Sequence, residues 1–482
     1  MPDTPTNPAT FTVPPQRPLI LLTLVLGVCA AVMEATLINL AMPHIMRDFH
    51  LGQDKVQLLA TAFLAAGTAS MLVAAWAAAR AGIARSFVLA LWLFGISSLL
   101  GALTPAGWFG GLLLARIGQG AAAGLIQPLA MMQLFAMYAP HERGKAMAAY
   151  GMGIVLSPAI GPVLSGVVVD HIGWRAVFVL TLPLCLLSGW LARRHLPGQG
   201  APQRPQFDSV GLALLTLALV TLLDALPQLR HGDALAELAG GLALAAAFIG
   251  WQLRHPAPLL SPALFRHPRF AASAALSLAY GAGLYGSTFL VPLSLQLVAG
   301  FNGASTGLIL LPSGLVLGLA LQLGGHLTDK GWAIKATLAG LALFAVACLL
   351  LGENVASPLM PVWIAWTSLS RLGLGLIVPG LNQSAVGSVL PEQINQATAA
   401  TNFLRQLGGA LGVSLVSQFL GWREGLEPLP QAFTHTYMLT GALFVLALLP
   451  LVWLTWGAAS DALGANPAEA LIRRLGDWTL RG

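Results

Sequence analysis

Apolar residues recur along this chain in long blocks that are separated by short polar breaks. Most blocks hold about 20 residues, which is the length an α-helix needs to cross the hydrocarbon of a bilayer. The pattern therefore predicts an all-α polytopic membrane protein. The fourteen predicted spans cover residues 19–43, 56–78, 86–104, 109–136, 144–168, 174–192, 209–226, 235–253, 270–297, 304–326, 334–352, 359–388, 397–420 and 434–456.

A weak internal repeat groups these spans. The sequence LLLARIGQGAAAGLIQP around Arg116 is echoed by TSLSRLGLGLIVPG around Arg371, and the loop RAGIA near Gly82 is echoed by DKGWA near Gly331. The two offsets are similar, which is typical of two related bundles within one chain. We predict a six-helix bundle over residues 1–200, two inserted transmembrane helices over 201–262, and a second six-helix bundle with a cytoplasmic tail over 263–482. Such repeats place the substrate site at the midplane between the bundles.

Composition narrows the class of protein. Hydrophobic residues make up 56% of the chain and charged residues 9%, which excludes an ordinary soluble domain. Of the 24 Lys and Arg residues, 16 fall on the side that carries both predicted termini and five on the other side, so the positive-inside rule predicts that both ends are cytoplasmic. Most of the protein surface is then expected to contact the lipid bilayer of a bacterial inner (plasma) membrane. The basic residues form no continuous patch, so no nucleic-acid partner is expected.

Nothing in the sequence suggests a cofactor or a metal site. The three cysteines lie singly within apolar runs, and none of the ten histidines falls in the middle of a span. No cluster of nucleophile, base and metal ligands is visible. We therefore do not expect an enzyme, and we expect no cofactor.

Charged residues inside the spans are the first candidates for chemistry, because an unpaired charge in hydrocarbon costs several kcal/mol. Glu34 is the one acidic residue placed well inside a span, so it must be protonated or paired, and we predict that it carries protons. Alternatively it contacts water near the outer end of its helix and holds a neighbouring helix. Arg116 could respond to the protonation state of a carboxylate, or it could snorkel to the headgroups. Asp224 is a second candidate proton site, or else a solvated interfacial carboxylate.

Other polar residues within the spans offer weaker signals. Arg371 is expected to snorkel to the headgroups, and Arg405 to anchor its helix at the interface. Several hydrogen-bonding or aromatic side chains could line a substrate cavity, although each taken alone could equally bond one helix to another. The candidates for the cavity are Asn39, Gln127, Tyr150, Tyr280, Gln296 and Asn382.

The fifth predicted span is unusually rich in glycine and proline. Glycines allow close helix contact and prolines bend a helix, so this composition favours a helix that slides or seals during a conformational cycle over one that only packs. The residues concerned are Gly153, Pro158, Gly161, Pro162 and Gly166.

These motifs resemble the major facilitator superfamily, and within it the fourteen-helix drug:proton antiporters of the EmrB/QacA type. MEATLINLAMPHI resembles the first-helix signature of that family, with Glu34 where aspartate is usual. ARIGQGAAAGLIQP looks like the fourth-helix motif, which implies a proton-relay role for Arg116. GIVLSPAIGPVLSG resembles the antiporter-specific motif of the fifth helix. The resemblance implies alternating access and two six-helix bundles.

A loop motif of the same family is altered here. The pattern GxLxDRxGR is reduced to AWAAARAGIAR in the first half, while GHLTDKG retains more of it in the second half. The resemblance implies that the gating latch formed by this loop is shifted or weakened. The retained residues are Arg80, Gly82 and Arg85 in the first copy, and Gly325, Asp329 and Gly331 in the second.

The sequence thus predicts a proton-coupled antiporter that exports small lipophilic drugs or toxic compounds. Its partners would be small-molecule substrates and protons, and the resemblance adds a periplasmic adaptor protein and an outer-membrane channel. A rival is a proton-coupled exporter of a specific metabolite or organic anion, for which Arg116 or Arg371 would supply the counter-charge. A rival from another class is an integral-membrane enzyme or sensor, for which no site or soluble domain is visible.

Overall fold

The computed structural model describes residues 16–51, 53–105, 107–139, 142–143, 146–147, 150–151, 153, 168–169, 171–197, 206–225, 234–301 and 303–447. Within these ranges the regular structure is α-helical, with short 3₁₀ segments at 262–266 and 391–393. The helices are α1 Arg17–Phe49, α2 Gln53–Ala81, α3 Ile83–Leu103, α4 Phe109–Met137, α5 Arg175–Leu180, α6 Leu182–His195, α7 Ser209–Ala225, α8 Ala234–Gln252, α9 Pro268–Leu297, α10 Gly303–Asp329, α11 Ala333–Glu353, α12 Met360–Gly387, α13 Ile394–Glu424 and α14 Leu429–Leu446.

The all-α membrane fold predicted from the apolar blocks is confirmed. Ten stretches of the described chain are long and apolar enough to cross a bilayer, with α5 and α6 together forming one of them. Most of the predicted fifth span lies outside the described residues, and α7 has 17 residues, slightly short of the usual span. The count of fourteen spans and the bounds of the three predicted domains stay predictions.

Glycines set the distances between the most closely packed helices. A Cβ atom on Gly120 of α4 would overlap the backbone carbonyl of Phe63 in α2, and one on Gly124 would overlap the carbonyl of Gly67. The second half repeats this contact, since a Cβ on Gly375 of α12 would overlap Ala320 of α10. Small residues let helix backbones approach closely in a membrane. Gly375 follows Gly120 by the same 255 residues that separate the two sequence motifs.

We call α1–α6 the first half and α9–α14 the second half. They meet through α13, which packs against α2 and α4. Asn402 of α13 is buried and directs its side-chain amide at the sulfur of Met131 in α4, at 3.3 Å. One hydrophobic cluster joins Met131 and Tyr150 of the first half with Val386 and Ala399 of the second. All of these residues lie toward the helix ends that the sequence predicts to be cytoplasmic.

The opposite helix ends are organised differently. One hydrophobic cluster around Trp174 draws its described members from the first half alone, and another around Trp363 draws them from the second half alone. Among the described residues, the hydrophobic contacts between the halves are therefore concentrated at the predicted cytoplasmic end.

The α7–α8 hairpin is fastened at its base by Asp208, which sequence analysis did not single out. This buried carboxylate accepts hydrogen bonds from the backbone N–H of Gly211 at 2.7 Å, from Trp251 Nε1 at 2.8 Å and from Gln252 Nε2 at 2.6 Å. Gln252 in turn accepts a bond from the backbone N–H of Leu260. Asp208 therefore ties the start of α7 to the end of α8 and to the segment that leads into α9.

We expect Gly120→Ala to lower the thermal stability of the protein, because the added methyl group forces α2 and α4 apart. Overpacking of this kind costs about 1–3 kcal/mol. Thermal unfolding in detergent measures the effect, with Gly250→Ala as the matched control, since nothing lies within 4 Å of a Cβ at that position of α8. Equal melting temperatures for Gly120→Ala and Gly250→Ala would contradict the close contact between α2 and α4 at Gly120.

We expect Asp208→Ala to loosen the base of the hairpin, because it leaves the donors of Gly211, Trp251 and Gln252 without their acceptor. Such a loss costs about 1–3 kcal/mol in the free energy of unfolding. Tryptophan fluorescence should also shift, since Trp251 is one of the donors. The control is Glu237→Ala, which removes an exposed carboxylate from the same hairpin; a similar loss there would mean that carboxylate removal is destabilising in general.

Candidate functional site

A buried ion pair lies at the centre of the first half. Glu34 of α1 and Arg116 of α4 have completely buried side chains, and Arg116 Nη1 lies 3.3 Å from Glu34 Oε1. By helix rise, Glu34 lies about 25 Å from the start of α1, so both charges are well inside the helical layer. Two of the three residues that the sequence proposed for proton coupling, Glu34 and Arg116, are therefore in direct contact.

Polar side chains from α3, from the α5–α6 junction and from α4 itself complete a network around this pair. Thr181, at the junction of α5 and α6, donates to Glu34 Oε2 at 3.0 Å. Arg116 Nη1 also donates to Gln119 Oε1 at 3.0 Å, and Gln119 Nε2 donates to Ser98 Oγ of α3 at 2.9 Å. All members of this network are buried. The carboxylate thus has a partner for each of its oxygens.

Helix α2 supplies the remaining contacts of the guanidinium group. Arg116 Nε donates to the backbone carbonyl of Leu59 at 3.3 Å, and its Cζ atom lies 4.3 Å from the centre of the Phe63 ring. The close approach of α2 and α4 at Gly120 brings both groups within reach. Arg116 Nη2 is buried and has no hydrogen-bond partner among the described residues. The cation therefore retains the two N–H groups of one nitrogen, which can be used when the network changes.

A buried ion pair is weak evidence for a stabilising role, because desolvation of the two charges offsets much of their attraction. Removing one partner alone is strongly destabilising, since it leaves an uncompensated charge. Such a pair responds sharply to protonation of its carboxylate. The arrangement is therefore suited to a protonation switch more than to a static clamp.

Several predicted residues lie outside what the structure describes. This applies to Pro158, Gly161, Pro162 and Gly166 of the fifth predicted span. Gly153 is described, and its carbonyl accepts a bond from the thiol of Cys29 at 3.2 Å. Asp224 and Asn39 lie within α7 and α1, but their side chains are outside the described part. The proposed roles of these residues stay predictions.

The described candidates for a substrate cavity are spread over the two halves. Tyr150 and Gln127 are neighbours, since the Tyr150 hydroxyl donates to the backbone carbonyl of Gln127 at 3.1 Å. Tyr280 is buried, and Asn382 is buried with neither amide atom bonded to a described residue. Gln296 is exposed on α9. The structure therefore brings the first two together and leaves a shared cavity as a prediction.

The two copies of the loop motif have matching backbone geometry. Gly82 and Gly331 adopt φ values of 83° and 81°, a region that favours glycine. Arg80 and Arg85 are exposed on either side of the first turn. In the second copy Gly325 is buried and Asp329, the last residue of α10, is partly buried. The repeated glycine thus serves the same tight turn in both halves.

Sequence reasoning missed Ser98, Thr181 and Phe63 as members of the site. Each is an ordinary residue in an apolar segment, and each enters the network only because a neighbouring helix places Glu34 or Arg116 beside it. The pairing of adjacent serines at 97 and 98 within α3 is the one signal that could have pointed to a polar contact.

The fold and the buried charge network together define a multi-pass membrane transporter. Residues 24–413 match the family described as Major Facilitator Superfamily, so the chain belongs to this superfamily.

Relatives and a solved structure agree with this assignment. The Multidrug resistance protein B homolog of Mycobacterium tuberculosis (strain ATCC 25618 / H37Rv) is 30% identical over 453 residues, which cover 90% of this chain and 81% of that protein. Fatty acid resistance protein FarB of Neisseria gonorrhoeae is 29% identical over 423 residues, covering 84% of this chain and 81% of that protein. The crystal structure of the human organic anion transporter MFSD10 (TETRAN) has the same fold, with a TM-score of 0.66 at 18% identity, covering 91% of this chain and all of that one.

We expect Arg116→Gln to destabilise the protein by about 3–5 kcal/mol, because it leaves Glu34 buried without its counter-charge. The double variant Glu34→Gln with Arg116→Gln should recover much of this loss, since neither charge remains. Unfolding titrations in mixed detergent micelles measure both. The control is Glu142→Gln, which breaks a partly exposed pair with Arg17 and should cost at most about 1 kcal/mol. If the loss of unfolding free energy in the double variant equals the sum of the losses in the two single variants, the two residues are not coupled.

Proposed function

We propose that this protein is a proton-coupled antiporter that exports small lipophilic compounds, including drugs and toxic molecules, by alternating access. The observation that carries the proposal is the sealed Glu34–Arg116 pair, in which both side chains are completely buried. A carboxylate that reaches water in only one conformation at a time can take up a proton on one side of the membrane and release it on the other.

Protonation changes what the network can do. Ionised Glu34 accepts hydrogen bonds from Arg116 and Thr181 on its two oxygens. A proton on the carboxyl group converts one oxygen to a donor and removes the attraction for the guanidinium. Arg116 then has only the carbonyl groups of Gln119 and Leu59 as acceptors within the network. Since Glu34 lies on α1 and Arg116 on α4, protonation favours a shift between these helices.

The names of the relatives support export of lipophilic compounds. One is called a multidrug resistance protein homolog and another a fatty acid resistance protein, and each matches more than four fifths of this chain. The first name describes resistance to multiple drugs and the second describes resistance to fatty acids. By this proposal, the described conformation, with contacts between the halves at one end, is one of the two states of the cycle.

The orientation and partners of the protein belong to the same proposal. Both termini lie in the cytoplasm, as the distribution of Lys and Arg predicts, in the inner membrane of a bacterium. Export then runs from the cytoplasmic side, and a periplasmic adaptor protein with an outer-membrane channel would carry substrates onward.

The test is proton release from inverted membrane vesicles when a lipophilic drug is added. Wild-type protein should exchange protons for drug, whereas Glu34→Gln at equal expression should abolish exchange and retain drug binding. Because this change leaves the buried Arg116 without its counter-charge, thermal unfolding first checks that the variant is folded. The matched control is Asp48→Asn, which neutralises a half-exposed carboxylate near the end of the same helix, outside the network. This control should exchange protons as the wild type does.

Two results would overturn parts of this proposal. Unchanged exchange in Glu34→Gln would move the proton site elsewhere, with Asp224 the next residue to change. A wild-type protein that binds drugs but moves no protons would remove proton coupling altogether.

A further inference from the structure

Thr181 lies at a break between α5 and α6. Pro183, two residues later, has no N–H group, so it cannot donate to the carbonyl of Val179 as the equivalent residue of a continuous helix would. The regular helix stops at Leu180 and starts again at Leu182. Thr181 is completely buried. A hydroxyl group is therefore enclosed at a point where the helix is interrupted.

The hydroxyl of Thr181 is directed away from its own helix. A threonine within a helix commonly donates to the carbonyl four residues earlier, and Thr23, Thr68 and Thr104 of the first half do so at 2.7 Å. Thr181 donates instead to Oε2 of Glu34 in α1 at 3.0 Å. The interruption between α5 and α6 thus leaves this hydroxyl available for the buried carboxylate.

Glu34 has a different kind of partner on each carboxylate oxygen. Arg116 Nη1 lies 3.3 Å from Oε1 and supplies a charge, whereas Thr181 supplies a neutral donor to Oε2. All three side chains are completely buried. Loss of the Thr181 hydroxyl would therefore remove a hydrogen bond from the carboxylate and leave the charges around it unchanged.

The ionisable groups near Glu34 are few in the described part of the chain. Arg116 is the charged group that faces it. The other ionisable side chains of α1, and of the helices α2, α4, α5 and α6 that pack on it, lie near helix ends, apart from Cys29 and Cys185. Those two thiols and the phenol of Tyr150 each donate to a backbone carbonyl. We therefore assign the pH response of this site to Glu34, with Arg116 as its counter-charge.

The segments on either side of the junction are both fixed to α1. Trp174, which immediately precedes α5, donates its Nε1 proton to Asp48 near the end of α1 at 2.7 Å. On α6, the hydroxyl of Ser188 donates to the backbone carbonyl of Thr23 in α1 at 2.8 Å. Thr181 lies between these two attachments. Its position relative to α1 is therefore set from both sides.

The contact with Thr181 favours one protonation state of Glu34. A hydrogen bond donated to an ionised carboxylate is stronger than one between neutral groups. A donor to the charged form of an acid therefore makes release of its proton easier. The Thr181 hydroxyl supplies such a donor without bringing a second positive charge into the site.

We propose that Thr181 is a positioning residue of the proton site, and that its hydroxyl sets the pH at which Glu34 releases its proton during transport. This inference rests on the proton-coupled antiport proposed above and adds a residue to it. Thr181 acts through Glu34, which carries the proton.

The test measures drug-induced proton release from inverted vesicles, in which the cytoplasmic side of the protein faces the bath. The bath pH is varied while the pH inside the vesicles is held constant. Thr181→Val removes the hydroxyl and nearly keeps the shape of the side chain. The bath pH of half-maximal release should move upward by about one unit or more, the shift expected for one hydrogen bond to a charged group.

Control variants separate the hydroxyl from a general effect on packing. Thr181→Ser keeps the donor and should return the pH profile close to that of the wild type. Thr23→Val makes the same change at a buried threonine of α1 whose hydroxyl bonds to its own helix, and it should leave the profile unchanged. Thermal unfolding checks that each variant is folded. Thr181→Ala also lacks the hydroxyl and replaces the valine variant if that one does not fold.

The outcomes distinguish the role of Thr181 from the transport function. Release by the wild type together with an unchanged pH profile in Thr181→Val overturns the role of Thr181 and leaves antiport standing. A lower rate without a shift along the pH axis, or equal shifts in Thr181→Val and Thr23→Val, has the same meaning. No drug-induced release by the wild type at any pH overturns both proposals.

Discussion

In the hydrocarbon of a bilayer a charged side chain has no water to solvate it, so it must find a partner within the protein or in a ligand. The buried ion pair of Glu34 and Arg116 satisfies this constraint completely for one carboxylate and nearly completely for one guanidinium. Five helical elements contribute to the network, because α1, α2, α3, α4 and the α5–α6 junction each supply one contact or more. A change of charge at this pair therefore acts on most of the first half at once.

The glycine contacts explain how such a network can be so dense. Backbones that touch at Gly120 and Gly124 leave no space for bulky side chains between α2 and α4, so the polar groups on these helices are held at fixed distances. The second half repeats the contact at Gly375, which shows that the scaffold is shared. The charges are not shared, since the acidic residues of the described helices α9–α14 all lie at helix ends. One scaffold thus supports an ion pair at Arg116 and a hydrogen bond to a threonine at the equivalent Arg371.

Sequence reasoning predicted the helical fold and singled out Glu34 and Arg116, because apolar periodicity and charges within apolar blocks are local signals. It could not predict that Thr181, Ser98 and Phe63 surround the pair, since only the packing of distant helices brings them together. Asp208 illustrates the same limit. In the sequence PQFDSVG it reads as a loop residue, yet its three donors come from residues up to 44 positions away.

The contact of Arg371 also could not be predicted from the local sequence. From the sequence alone, snorkelling to the headgroups is the natural expectation for an arginine in a span. The structure instead directs its guanidinium across to Thr288 of α9. The hydroxyl of Thr288 lies on a neighbouring helix, so this contact cannot be located without the three-dimensional fold.

The charge of the exported compound decides how much of the driving force of a proton-coupled exporter comes from the membrane potential. A neutral substrate exported in exchange for one proton moves one elementary charge inward, whereas a monoanion exported for one proton moves two. Each charge that crosses 100 mV contributes about 2.3 kcal/mol. Under the function proposed above, an exporter that carries its proton on the buried Glu34 therefore draws more of its driving force from the membrane potential when its substrate is an anion.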